Sequence, residues 1–142
     1  MPVAELRLRG KHNLENALCA AAMAWADGVD LQSIANVLRT FGGVRHRLEE
    51  VAYHNDILYI NDSKGTNVGA TLAAINGLGQ ALAPHQAKVV TILGGQGKGQ
   101  DFKPLSNALS QYARHVILIG EDANKIASAL ASDIEVSFAT TL

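Results

Sequence analysis

Lys88-Val89-Val90-Thr91-Ile92-Leu93, followed at once by Gly94-Gly95-Gln96-Gly97-Lys98-Gly99-Gln100-Asp101-Phe102, decides the fold class. The apolar run is too short for a helix, is rich in β-branched residues, and ends in turn-forming residues, so it reads as a buried strand. A strand of that kind belongs to a parallel sheet inside an α/β domain, covered on both faces. The loop behind it supports two readings. Its four glycines let backbone approach an anion closely, with Lys98 supplying positive charge; equally, they serve a plain strand-to-helix connection. It is not a Walker A loop, because Gly99 stands where Ser or Thr is required, and it lacks the third glycine of a dinucleotide fingerprint.

The same grammar extends outward. Glu50–Tyr53 and Ile57–Ile60, separated by His54-Asn55-Asp56, predict a β-hairpin. Val68, Leu72, Ile75 and Leu78 fall on one helical face, and Leu105, Leu109 and Tyr112 on another. Val116–Ile119 and Ile134–Phe138 predict strands flanking a helix over Ala123–Leu130. Toward the start, Leu6–Arg9 alternates like a short strand. Leu14, Leu18, Ala21, Ala22 and Trp25 then define one helix, and Leu31, Ile34, Ala35, Leu38 and Phe41 a second, capped by Asp30 and stopped by Gly42-Gly43. These two form an αα-hairpin, and Gly42–Arg47 is a linker between it and the α/β part. The chain closes just after a strand and opens on what resembles the tail of an earlier element, as expected of a piece of a longer protein.

Composition excludes several function classes. With 142 residues, 48% hydrophobic content and 18% charged residues, the chain can bury a core. A net charge of −1 carries no basic footprint for nucleic acid. No segment approaches the ~20 apolar residues of a membrane span, and the first residues form no secretory leader, so a soluble cytoplasmic protein is expected. The single Cys19, inside an apolar helical run, predicts a buried packing residue and a reducing compartment. His54, His85 and His115 have no metal-ligand spacing and read as surface or structural.

Three polar segments stand out as ligand candidates. Asn61-Asp62-Ser63-Lys64-Gly65-Thr66-Asn67 lies behind a strand, where α/β proteins aim side chains at ligands. Thr66 or Asn67 can cap the next helix, but capping does not account for Asp62 and Lys64 together. His12–Asn16 opens the first helix, either as a polar cap or with Asn13 and Asn16 placed to hydrogen-bond a planar, amide-like ligand. Arg45-His46-Arg47 reads either as solvated basic residues near a hinge or, through the guanidinium of Arg47, as a grip for phosphate oxygens.

Taken in order, Gly10–Asn16, Gly43–Glu49, Asn61–Asn67 and Gly94–Lys98 resemble the Mur ligases over nearly the whole chain. Within that family the Asn61–Asn67 segment is similar to that of the member adding D-glutamate. The resemblance implies an ATP- and Mg²⁺-dependent enzyme of peptidoglycan precursor synthesis. It would phosphorylate the carboxylate of UDP-N-acetylmuramoyl-L-alanine and let D-glutamate attack the acyl phosphate. It implies residues 1–42 as the tail of a central ATPase domain, and residues 43–142 as most of a C-terminal ligase domain of Rossmann-like, dinucleotide-binding fold. The N-terminal and central domains of the same parent are its implied partners. Carried over by position, Asn13 and Asn16 would contact adenine, Arg47 the ATP phosphates and Asp62 the ribose. Lys64, Thr66 and Lys98 would face D-glutamate and the reacting carboxylate, with Lys64 and Lys98 as catalytic candidates. The Walker-type loop, the metal ligands, the modified lysine and a later Ser/Phe segment of the family are absent, so the chain alone is expected to be inactive. A stand-alone nucleotide- or amino-acid-binding module, and a ligase like folylpolyglutamate synthase, are the alternatives.

Overall fold

The computed structural model describes residues 1–8 and 11–141, without the side chains of Lys11 and His12. The backbone separates into two compact units, Met1–Lys64 and Gly65–Leu142, and each is described by itself.

The first unit begins with a 3₁₀ turn at Val3–Glu5 and two helices, α1 (Lys11–Ala26) and α2 (Leu31–Thr40). Leu6 to Leu8 form no strand, because no neighbouring strand among the described residues meets their backbone groups; Arg9 and Gly10 lie outside those residues. Asp30 caps α2, its Oδ1 accepting from the N–H groups of Gln32 and Ser33, each at 3.0 Å. Of the expected apolar stripe on α1, Leu14 and Ala21 are half-buried and Leu18, Ala22 and Trp25 are exposed, while the buried residue of the helix is Ala17, outside that stripe. Cys19 is exposed as well, contrary to the packing role expected of it, since α1 presents that side to solvent in this chain.

After the linker come β1 (Glu49–His54) and β2 (Ile57–Asn61), an antiparallel pair. Asn55 and Asp56 turn it with φ of +49° and +60°, the left-handed pair of a two-residue hairpin loop that Asn and Asp tolerate. A bulge between Glu50 and Ala52 shifts the register.

The second unit is α/β. Helix α3 (Val68–Leu82) leads into β3 (Val89–Gly94), and α4 (Leu105–Tyr112) into β4 (Ala113–Ile119). Then α5 (Ala123–Ala129) leads into β5 (Val136–Ala139). The strands form a parallel sheet in the order β3-β4-β5. Because the order advances one way and such crossovers share one hand, α4 and α5 fall on the same face. Val116 and Leu118 of β4 point into that face and are fully buried against Ile75, Leu105, Leu109 and Ile126. Close packing of α3 on α4 needs Gly79, since a Cβ there would lie 2.1 Å from the Tyr112 ring. Val90 and Ile92 project to the other face and stay 56% and 50% exposed. The sheet is therefore covered on one face among the described residues, not on both: all three helices of the unit contribute to the single core.

Leu109 has no exposed surface at the centre of that core. Leu109→Ala is expected to cost about 2–5 kcal/mol through lost burial and a residual cavity. Urea unfolding of the chain checks this, and a loss under about 1 kcal/mol would show a core that collapses around the gap.

Candidate functional site

The polar residues gather in two places, one in each unit. In the first, the linker turn and the end of β2 are tied together. The N–H of Lys64 donates to the His46 carbonyl at 3.0 Å, and the N–H of Leu48 donates to Oδ1 of Asp62 at 3.0 Å. Asn61 completes the tie. Its Oδ1 accepts from the Ser63 N–H at 3.1 Å, which fixes the amide's orientation. Its Nδ2 lies 2.9 Å from His46 Nδ1. His46 N–H donates to Glu49 Oε2 at 2.8 Å.

Arg47 stands between two non-glycine residues in the left-handed region, His46 at φ +65° and Leu48 at +46°. Such backbone persists only where its surroundings over-determine it, and the Asn61, Asp62 and Glu49 contacts do so. Two exposed cations, Arg47 and Lys64, therefore leave backbone segments that are hydrogen-bonded to each other. Asp62 is half-buried and one of its oxygens is engaged by Leu48. Farther up the chain, Asn13 lies inside the first turn of α1 and is half-buried, and Asn16 is exposed one turn on.

In the second unit, Asn67 rather than Thr66 caps α3, its Oδ1 accepting from the Ala70 N–H at 2.8 Å. Thr66 stays exposed just ahead of it. The glycine-rich loop between β3 and α4 packs against the β4–α5 connection. A Cβ on Gly94, whose φ is +156°, would lie 1.7 Å from the Ile119 carbonyl oxygen, and one on Gly97 2.3 Å from Cζ of Phe102. Two of the loop's amides are used internally: Gly95 N–H donates to the Ile119 carbonyl at 3.0 Å and Gly97 N–H to Oδ2 of Asp122 at 2.6 Å. Of the two sequence readings, the geometry supports close packing over an anion cradle. What the loop offers a ligand is Lys98, exposed at φ +50° on the tip of a turn closed by the Gln100 N–H on the Gly97 carbonyl, 3.0 Å.

Two residues that sequence reasoning passed over hold this loop. Asp122 is 5% exposed; the Lys125 ammonium, 2.5 Å from Oδ1, and then the Gly97 N–H hold its carboxyl below the usual carboxylate range. The stabilisation is present above the unfolded carboxyl's pKa and is lost as pH falls through the lower folded value, so the contact is insensitive to pH near neutrality. Gln100 accepts from the Val68 N–H at 2.8 Å and donates from Nε2 to the Gly97 carbonyl at 3.0 Å. It thereby joins the start of α3, and with it Thr66, to the Lys98 turn. An open depression of about 480 Å³ lies beside it, between Gln100–Lys103 and Asn124, Lys125 and Ser128 of α5. Among the described residues no group of three His, Cys, Asp or Glu side chains could hold a metal ion, and no helix is long and apolar enough to cross a membrane.

A parallel α/β unit with polar residues in the loops beyond its strand ends has the architecture in which α/β proteins place ligand sites. Residues 46–141 match the family described as Mur ligase, glutamate ligase domain, and the chain belongs to the Mur ligase family. UDP-N-acetylmuramoylalanine–D-glutamate ligase of Acinetobacter baylyi is 51% identical over 97% of this chain, and that of Legionella pneumophila 49% over 100%. The chain spans 31% of the length of each. Among solved structures, UDP-N-acetylmuramate–alanine ligase of Thermotoga maritima aligns over 94% of this chain and 30% of its own (TM-score 0.73, 22% identity). MurF from Acinetobacter baumannii aligns over 92% and 29% (TM-score 0.73, 25% identity). Folylpolyglutamate synthase of Thermotoga maritima shares the fold at TM-score 0.64 and 17% identity.

Gly94→Ala should cost about 3 kcal/mol or more, the upper end for overpacking, because the obstructing atom is backbone and cannot swing away. Gly95→Ala meets open space at φ +93° and should cost clearly less. Equal melting temperatures for the two variants would contradict this account of the loop.

Proposed function

We propose that this chain is part of an ATP-dependent ligase that joins D-glutamate to UDP-N-acetylmuramoyl-L-alanine in peptidoglycan precursor synthesis. The observation that carries the reading is the 51% identity, over 97% of the chain, to a ligase of that name. In this reading residues 1–42 end a central ATPase domain and residues 43–142 belong to a C-terminal ligase domain, with the remaining domains of the parent as partners and the cytoplasm as the place of action.

The reaction has two steps. The substrate carboxylate attacks the γ-phosphorus of ATP, and the bond to the bridging oxygen breaks to give an acyl phosphate and ADP. The D-glutamate amine then attacks the acyl carbon, loses a proton and expels inorganic phosphate, leaving the amide. Arg47 would reach the ATP phosphates, Asp62 the ribose through the carboxylate oxygen that Leu48 leaves free, and Asn13 and Asn16 the adenine edge. Lys64, Thr66 and Lys98 would meet the D-glutamate carboxylates and the charge developing on the acyl phosphate, with Lys64 and Lys98 in the catalytic role. A dicarboxylate requires such cationic and hydroxyl partners, and charge build-up is stabilised best by donors already in place. Fixing amine and acyl phosphate together supplies the proximity that amide formation needs. Mg²⁺ would neutralise the phosphate oxygens of ATP; the donors described in this chain supply no ligand set for it, so no step is assigned to a metal held here.

Phosphate release by the full-length protein, with ATP, Mg²⁺ and UDP-N-acetylmuramoyl-L-alanine, tests the reading when D-glutamate, L-glutamate and L-lysine are offered in turn. Release with D-glutamate alone is expected. Release with another amino acid, or with a folate in place of the nucleotide-sugar substrate, would replace it.

Lys64→Ala should lower kcat by at least about tenfold while leaving the KM for ATP within about twofold, because its partner charge is a carboxylate or acyl phosphate. Unchanged turnover would return Lys64 to loop structure.

A further inference from the structure

We propose that Asp122 and Gln100 are positioning residues that grip the Gly97–Lys98 turn from two sides and fix Lys98 relative to the start of α3. The inference rests on the reading above, in which Lys98 and Thr66 face the same reactants, and names what sets their spacing.

Asp122 occupies the N-cap position of α5, where an aspartate ordinarily accepts from the helix's own first amides. Here it makes no such bond. Its carboxylate turns away instead and accepts from the Gly97 N–H at 2.6 Å. The same residue's N–H donates to the Gly95 carbonyl at 3.1 Å, so backbone and side chain of Asp122 engage the loop at alternate residues. A nearly buried carboxylate diverted from its cap is a costly arrangement unless fully partnered. Gly97 donates to Oδ2, while Oδ1, which accepts no well-aligned hydrogen bond among the described residues, is offset by the Lys125 ammonium as an ion pair.

Gln100 holds the opposite side of the same residue. Gly97's carbonyl receives both the backbone N–H and the side-chain Nε2 of Gln100, each at 3.0 Å. The side-chain oxygen of Gln100 accepts the Val68 N–H at 2.8 Å, one of the amides at the head of α3 that lack a helical partner. One amide side chain thus spans from the Lys98 turn to the helix that begins two residues after Thr66. Glu121 adds a weaker, exposed tie, accepting from Nε2 of Gln96 at 2.9 Å. Gly97, the residue before Lys98, is therefore fixed at both its N–H and its C=O, while the lysine side chain remains exposed.

The test uses the full-length protein. Lys98→Ala, Gln100→Ala and Asp122→Ala are compared with the doubles K98A/Q100A and K98A/D122A, in steady-state kinetics with D-glutamate varied. Gln100→Ala and Asp122→Ala should each lower kcat by roughly 10- to 100-fold, the scale of an ångström-level misplacement, with the KM for ATP unmoved. Neither should deepen the loss already caused by Lys98→Ala. Asp122→Asn, which keeps an acceptor for the Gly97 N–H, should restore most of the rate. Hydrogen exchange at the Gly97 amide should accelerate in Asp122→Ala but not in Asp122→Asn, a readout that needs no activity. Losses that multiply with that of Lys98→Ala, or an unchanged exchange rate at Gly97, overturn the positioning role and leave Lys98's own role standing. A silent Lys98→Ala overturns both.

Discussion

Everything in the second unit hangs on burying one side of β4. Val116 and Leu118 have no exposed surface, and the helices that cover them are the same ones whose connections carry the candidate residues. Burial of each such side chain is worth about 1.5–3 kcal/mol, and it fixes where α4 and α5 can lie. Their positions in turn fix the two connections that leave neighbouring parallel strands at the same end of the sheet. That is why Asp122, after β4, meets Gly97, after β3. The contact follows from strand adjacency, without any special affinity between the two loops.

The first unit solves its own version of the problem without a comparable core. Among the described residues Ala17 is its only buried hydrophobic residue, so order at Arg47 and Lys64 comes from hydrogen bonds. Asn61 uses both ends of its amide, Asp62 reaches Leu48, and the His46 backbone and ring are both engaged. Polar contacts are directional, and they hold left-handed backbone that apolar packing alone would let relax.

Much of this was legible from residue order. The buried-strand run before Gly94, the hairpin around Asn55-Asp56 and the Asp30 cap are local signals, and local signals survive folding. From Leu14 onward the strands and helices fell close to their expected spans for the same reason, whereas the strand expected at Leu6–Arg9 is not formed at Leu6 to Leu8. One-sided covering of the sheet was not legible, because the facing of Val90 and Ile92 depends on which helices are present, not on their own chemistry. Nor was Cys19's exposure, since an apolar stripe announces a face to be covered without saying by what. Among the candidate site residues, Lys64, Arg47 and Lys98 were visible as charges in unusual company. Asp122 carried a faint signal, a polar residue just past a strand and a glycine. Gln100 carried none: an amide bridging segments 32 residues apart is a fact of three dimensions.

The uncovered side of the sheet bears on how the chain behaves in solution. Val90 and Ile92 lie on the face opposite the helices, and β3 and β5 border the described sheet without a further strand beside them. Open borders next to an apolar surface are templates for strand addition and for self-association. Handled by itself, the chain is thus a poor candidate for high concentration.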